Sequence, residues 1–169
     1  GAMLHLLNHA VSKGLLFLNS GAVEYSTGTR KMDELGGLRE KMPVTSITNL
    51  IAILSLSGIP PFGGFWSKLI ILMALVMSGH IVMAVITVLI SVLTLSYLIK
   101  IQRKVFWGKI KENLLTVKEV PLTMCISMVI LAILCVLMGF MVKYVLIFIE
   151  PAKDALMNGI GYSKYVFGG

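Results

Sequence analysis

The apolar residues of this chain are gathered into four long blocks, and that grouping decides most of what it can fold into. The blocks run from about 3 to 23, 44 to 78, 81 to 102 and 121 to 149. A bilayer core about 30 Å thick is crossed by roughly 20 apolar helical residues. The 169 residues are 57% hydrophobic and 14% charged, with a mean hydropathy of +0.90. Soluble domains carry about a quarter charged residues. The sequence therefore describes an all-α integral membrane protein, not a globule with a large core.

A net charge of +7 and a pI near 9.5 could suit nucleic acid. The basic residues, however, cluster at the ends of the apolar blocks. There they orient helices against an anionic cytoplasmic leaflet. The expected contact is a lipid bilayer, with no nucleic acid. Cys125 and Cys135 fall in one block, roughly 80° and about 15 Å apart on a helix, so they cannot pair on an intact helix. No CxxC and no GxGxxG occurs. No cofactor and no metal is expected. The chain has no signal peptide and opens directly in apolar helix, which points to a fragment, a split subunit or residues missing upstream.

Block two contains Gly58-Ile59-Pro60-Pro61-Phe62-Gly63-Gly64, followed by Lys68. Proline lacks an N–H and glycine relaxes the backbone, so a helix breaks there. The 35 residues of the block would make one helix of about 52 Å, too long for one straight span. Charge decides between one broken span and two short ones. Arg30, Lys31, Arg39 and Lys41 precede the block; Arg103, Lys104, Lys109, Lys111 and Lys118 follow block three. A single crossing puts both basic stretches on one side, as the positive-inside bias favours. The expectation is four transmembrane spans, the second discontinuous, forming a transmembrane region over 1–150. Both basic loops face the cytoplasm of a prokaryotic plasma membrane. Residues 151–169 form an outer tail, with Tyr162, Tyr165 and Phe167 suited to an interface.

Lys68 lies in membrane-grade sequence, where a lysine costs about 2.5–3.5 kcal/mol on insertion scales and reads as functional by default. The bland alternative is a proline kink with a snorkelling lysine. His5, His9 and Lys13 are spaced four apart, which places them on one helical stripe drifting about 40° per step. Such a stripe suits a hydrated interior, although His5 could also lie at the outer interface. Asn8, Ser12, Asn19 and Ser20 add polar groups on other faces. Histidine exchanges protons near neutral pH, and desolvation brings lysine amines toward the same range. His5, His9, Lys13 and Lys68 are thus candidate stations of a proton or ion path. The freed carbonyls around Leu54–Gly58 and the N–H groups near Phe65–Lys68 could serve a hydrated site. Glu24 reads as interfacial, or as a point of proton uptake. Lys100, Arg103 and Lys104 read as snorkelling residues, and Trp66 and Trp107 as packing or belt residues.

These residues also carry a resemblance. HLLNHAVSKGLLFLNSGAV, TRKMDELGGLREKMP, LSLSGIPPFGGFWSKLIIL and TLSYLIKIQRKVFWGK occur in this order. Over roughly residues 1–110 the chain resembles the antiporter-like membrane subunits. That family includes subunits of respiratory complex I, of Mrp-type cation/proton antiporters and of membrane-bound hydrogenases; the last motif looks closest to the D-type branch of the Mrp subunits. The family has fourteen core helices in two inverted five-helix repeats. The resemblance implies that this chain holds the final four, with Lys13 as the central-axis lysine and Lys68 as the broken-helix lysine of the second half-channel. The first repeat would then be supplied elsewhere.

The implied function is translocation of protons, or sodium and protons, by an antiporter-like subunit or its C-terminal portion in a redox or antiporter complex. Implied partners are other membrane subunits, including the N-terminal antiporter half, and peripheral redox subunits. Bond chemistry, if any, would belong to those partners. Two rivals stand beside it: part of a stand-alone Mrp-type antiporter, and a structural membrane subunit with no conduction path of its own.

Overall fold

A computed structural model describes residues 1–147 and residue 150. The expected outer tail, 151–169, lies outside the described residues, as do residues 148 and 149. Among the described residues every regular element is helical. The α-helices are α1 (Ala2–Thr27), α2 (Pro43–Ser57), α3 (Gly63–Met77), α4 (Ile81–Phe106) and α5 (Leu122–Phe140). Short 3-10 turns occupy Leu38–Glu40 and Glu112–Leu114. By length and composition α4 and α5 can each cross a membrane, whereas α2 and α3 are shorter apolar helices of 15 residues each.

Helix ends differ from the apolar blocks by a few residues. The first block ends near Val23, yet α1 runs on to Thr27. Gly28 then closes it in the left-handed conformation, its N–H donating to Glu24 O at 2.8 Å. Glu24 is therefore a helical residue. At the other end, α5 pauses at Met141, and residues 142–147 are helical beyond it.

The break follows from local chemistry. Gly58, at φ 80°, caps α2, a conformation costly to any residue with a Cβ. The chain turns through Pro60 and Pro61 and re-enters a helix at Gly63. A Cβ on Gly64 would overlap the Ser55 carbonyl oxygen, so only glycine allows α3 to start this close to the end of α2.

α2 is the central element, and its buried residues are largely polar: Thr45, Ser46, Thr48, Asn49, Ser55 and Ser57. Neighbouring helices answer with hydrogen bonds, as a low-dielectric interior requires. Ser12 and Ser55 hydroxyls meet at 2.8 Å, joining α1 to α2. Thr48 Oγ1 donates to Asn19 Oδ1 at 2.7 Å. Asn49 donates to Gln102 of α4 at 2.5 Å, and Gln102 donates back to Ser46 O at 3.2 Å. Apolar packing of Leu15, Ala22, Leu38, Met42, Ala52, Phe106 and Met128 surrounds these contacts. In contrast, most of α4 before Leu98 presents apolar side chains outward, among them Val82, Val85, Leu89 and Leu93.

The two basic connections, 28–42 and 107–121, meet at one end of the bundle. Lys104 pairs with Asp33 at 2.5 Å, Lys111 donates to the Asp33 carbonyl, and Gly37 N–H donates to Trp107 O at 3.3 Å. The Lys104 ammonium beside Asp33 holds its carboxyl below the usual carboxylate range. Glu119 caps α2 from 75 residues away: one carboxylate oxygen accepts from the N–H groups of Val44 (2.9 Å) and Thr45 (3.3 Å), the other from Thr45 Oγ1 (2.6 Å). Those N–H groups have no intrahelical partner, and a carboxylate there also meets the positive end of the helix.

Glu119→Ala should cost about 1–2 kcal/mol, seen as a lower melting temperature of the intact protein in detergent. Gly64→Ala should push α3 off α2 at a cost of about 1–3 kcal/mol; an unchanged melting temperature would contradict the close approach. The Asp33–Lys104 contact should be complete above the usual carboxylate range and weaken as the pH falls through the depressed value, with salt weakening it further. A fluorophore pair on the two loops would read that change.

Candidate functional site

α1 carries two adjoining polar stripes. Leu4, Asn8, Ser12, Leu15 and Asn19 are buried toward the other helices. His5, His9 and Lys13 lie on the next stripe, successive members about 6 Å apart in rise. The His5 and His9 ring centroids are 5.8 Å apart, tilted by 45°.

Lys68 stands on α3, one turn past Gly64. Its Nζ donates to Leu56 O and Ser57 O, each at 3.0 Å. Because α2 stops at Ser57, these carbonyls lack the helical partners they would otherwise have. An ammonium there also faces the negative end of the helix. The sequence suggested carbonyls around Leu54–Gly58 open to a hydrated site. Instead, Leu54 O and Ser55 O accept from the N–H groups of Ile59 and Gly58, and Lys68 itself takes the next two. The lysine closes the break as well as standing in it.

His5, His9, Lys13 and Lys68 line one cavity of about 290 Å³, together with Ser91, Thr94 and Tyr97 of α4. Thus three residues from α1 and one from α3, far apart in sequence, share a wall. His9 is exposed and the other three are partly buried. His5 Nδ1 lies 3.1 Å from Ser67 Oγ, which donates to Gly64 O at 3.0 Å. Ser67 is fully buried.

A second cavity of about 560 Å³ contains Lys13 again, along with Asn19, Ser20, Glu24, Arg30 and Asn49. Lys13 therefore stands on the wall of both. Arg30 Nε pairs with Glu24 at 2.7 Å near the loop end of this cavity, and that pairing raises the already high Arg30 value further. Glu24 shares this cavity with Lys13.

Sequence reasoning passed over Ser67, Ser91, Thr94 and Tyr97. A signal for the last three was present: Thr87, Ser91, Thr94 and Tyr97 recur at helical spacing in otherwise apolar sequence. Nothing in the pattern singled out Ser67, since a serine in a helix usually satisfies itself on its own backbone. Among the described residues no group of three or more His, Cys, Asp or Glu side chains gathers as a metal site. Cys125 and Cys135 are both buried free thiols, with Cys135 beside Ser12 at 3.7 Å.

Residues 1–94 match the family described as NADH:quinone oxidoreductase/Mrp antiporter, TM. Similar curated proteins include the Na(+)/H(+) antiporter A1 subunit of Staphylococcus haemolyticus, 37% identical over 183 residues. That comparison covers 99% of this chain and 23% of the relative. The Na(+)/H(+) antiporter A1 subunit of Staphylococcus saprophyticus is 40% identical over 168 residues, covering 92% of this chain and 21% of its own. The chain thus spans less than a quarter of the length of these relatives. Both are A1 subunits by name, whereas the last sequence motif looked closest to the D-type branch.

Among solved structures, the membrane-bound sulfane sulfur reductase, an archaeal respiratory membrane complex, contains a similar chain. It is 40% identical with a TM-score of 0.78, over 82% of this chain and 23% of that one. A chain of the Mrp complex from Dietzia sp. DQ12-45-1b shares the fold at a TM-score of 0.78 and 24% identity, over 85% of this chain and 35% of that one. With more than half of its length matched, this chain is a membrane protein and belongs to the NADH:quinone oxidoreductase/Mrp antiporter transmembrane family.

Proposed function

We propose that this chain is part of an antiporter-like subunit that moves protons, or exchanges sodium for protons, within a multisubunit membrane complex. The observation that carries the reading is the single cavity shared by His5, His9, Lys13 and Lys68 beside a helix break. Four groups that can each hold and release a proton stand along one wall, and water in that cavity would join them. Lys13, on the wall of a second cavity reaching toward Glu24 and Arg30, links this row to the loop end of the bundle. Membrane transporters build ion sites at mid-depth around discontinuous helices, and here the ammonium of Lys68 occupies the end of α2.

In this reading α1, the α2–α3 pair, α4 and α5 are four spans, and residues 1–150 form the transmembrane region. Contact between the two basic loops supports counting the α2–α3 pair once, because separate crossings would put those loops on opposite sides. The positive-inside bias assigns that end to the cytoplasm of a prokaryotic plasma membrane and the tail to the outside. The outward apolar face of α4 meets lipid or neighbouring membrane subunits, among them the N-terminal antiporter half. The names of the relatives support both a cation/proton antiporter and a respiratory membrane complex, and in the second case peripheral redox subunits would be partners. Iron–sulfur or nickel subunits in the purified assembly would mark the second.

One observation favours a purely structural role: Lys68 is docked on two backbone carbonyls that need a donor. Lys68→Arg separates the readings. Arginine keeps the cation and its N–H donors but does not give up a proton. In the intact assembly reconstituted into vesicles, Lys68→Arg should preserve assembly and cut proton translocation by at least roughly tenfold, within the range of a lost proton-transfer group. Lys13→Ala should do the same. Normal translocation by Lys68→Arg would support the structural role instead.

A further inference from the structure

Ser67 has one hydroxyl proton and two polar neighbours. Its oxygen lies 3.0 Å from Gly64 O and 3.1 Å from His5 Nδ1. A carbonyl oxygen can only accept, and two oxygens 3.0 Å apart with no proton between them would repel, so the hydroxyl proton is assigned to the Gly64 contact. The lone pairs of Ser67 Oγ are then what faces the imidazole, and Nδ1 must be the donor. We infer that Ser67 holds neutral His5 with its proton on Nδ1, leaving Nε2 as the atom that takes up and releases the moving proton.

The arrangement is held on every side. Ser67 is fully buried, so bulk water does not compete for its hydroxyl. Gly64 is pinned because α3 starts in direct contact with the Ser55 carbonyl, and Lys68, the residue after Ser67, ties the same turn to Leu56 and Ser57. His5 is tied to α1. A shift of α3 that frees Lys68 from the end of α2 therefore also draws Ser67 away from His5. The protonation face of the imidazole and the docking of the lysine are set by one piece of backbone.

Ser67 touches no transported ion; it is a positioning residue. A hydrogen bond at one ring nitrogen sets which nitrogen of a neutral histidine is free. The titratable groups facing His5 are His9 and Lys13 on α1, Lys68 on α3 and Tyr97 on α4; α2 contributes Leu56 to that wall. The consequence for transport rests on the proton-path reading, but the tautomer itself does not.

The test uses the intact assembly with histidine-selective 15N labelling, the His5 signal being assigned by difference against His5→Ala. At a pH where His5 is neutral, Nδ1 should appear as the protonated nitrogen and Nε2 as the bare one. Ser67→Ala should shift His5 toward the other tautomer and slow proton-coupled exchange by at least roughly tenfold, the scale of losing an orienting partner of an imidazole. Ser67→Thr, which keeps the hydroxyl, should restore both. A bare Nδ1 in the unmodified protein overturns the inference, whatever the variants do. So does a tautomer unchanged by Ser67→Ala. If the tautomer is as stated but His5→Ala transports normally, the proton-path reading and the role of Nε2 fail, while the tautomer set by Ser67 stands.

Discussion

Two carbonyl oxygens at the end of α2 and one ammonium on α3 hold the break together. Stopping a helix in an apolar medium leaves backbone acceptors without partners, each costing several kcal/mol if left bare. Carrying a lysine into the same medium is also costly. Here the two liabilities offset one another: Lys68 donates to Leu56 O and Ser57 O, while Leu54 O and Ser55 O are satisfied by the turn itself. A charged hydrogen bond of this kind contributes about 1.5–3 kcal/mol. The start of α3, the placement of Ser67 and the contact with His5 all follow from where this docking fixes the chain.

The rest of the bundle is organised around a polar helix. α2 touches α1 through Ser12–Ser55 and Asn19–Thr48, and α4 through Asn49–Gln102. In lipid, apolar packing alone discriminates weakly between helix registers, so interhelical hydrogen bonds carry much of the specificity. Glu119 then fixes the start of α2 from the far connection. Among the described residues, the buried polar atoms without a partner are Asn8 Oδ1 and Ser57 Oγ, and both lie beside the break. At the end of α2 the backbone carbonyls of Leu54 to Ser57 are thus satisfied while the Ser57 hydroxyl is not.

The same contacts explain what was legible in advance. Hydropathy located the helices, because a membrane-grade block has few other solutions. The Gly-Pro cluster located the discontinuity, because those residues cannot continue a helix in place. The stripe of His5, His9 and Lys13 was visible from spacing alone. Ser67 was not, since its importance comes from two groups, Gly64 O and His5 Nδ1, that only α3 and α1 in contact bring to it. The cavity that Glu24 shares with Lys13 was likewise out of view: α1 runs one turn longer than the apolar block, and that extra turn keeps Glu24 within the helix. The lysine–carbonyl docking was also out of reach, because pattern gives the position of a charge along a helix and not the backbone it meets.

By itself the sequence determined that the chain is helical and suited to a membrane, where its helices lie, and where one is interrupted. Those properties depend on local composition and period. Tertiary structure decided which groups meet: that Lys13 borders two cavities, that Lys68 serves the end of α2, and that the basic connections close on each other. These are distances between residues far apart in the chain, set by the packing of α2 against its neighbours, and no local pattern encodes them.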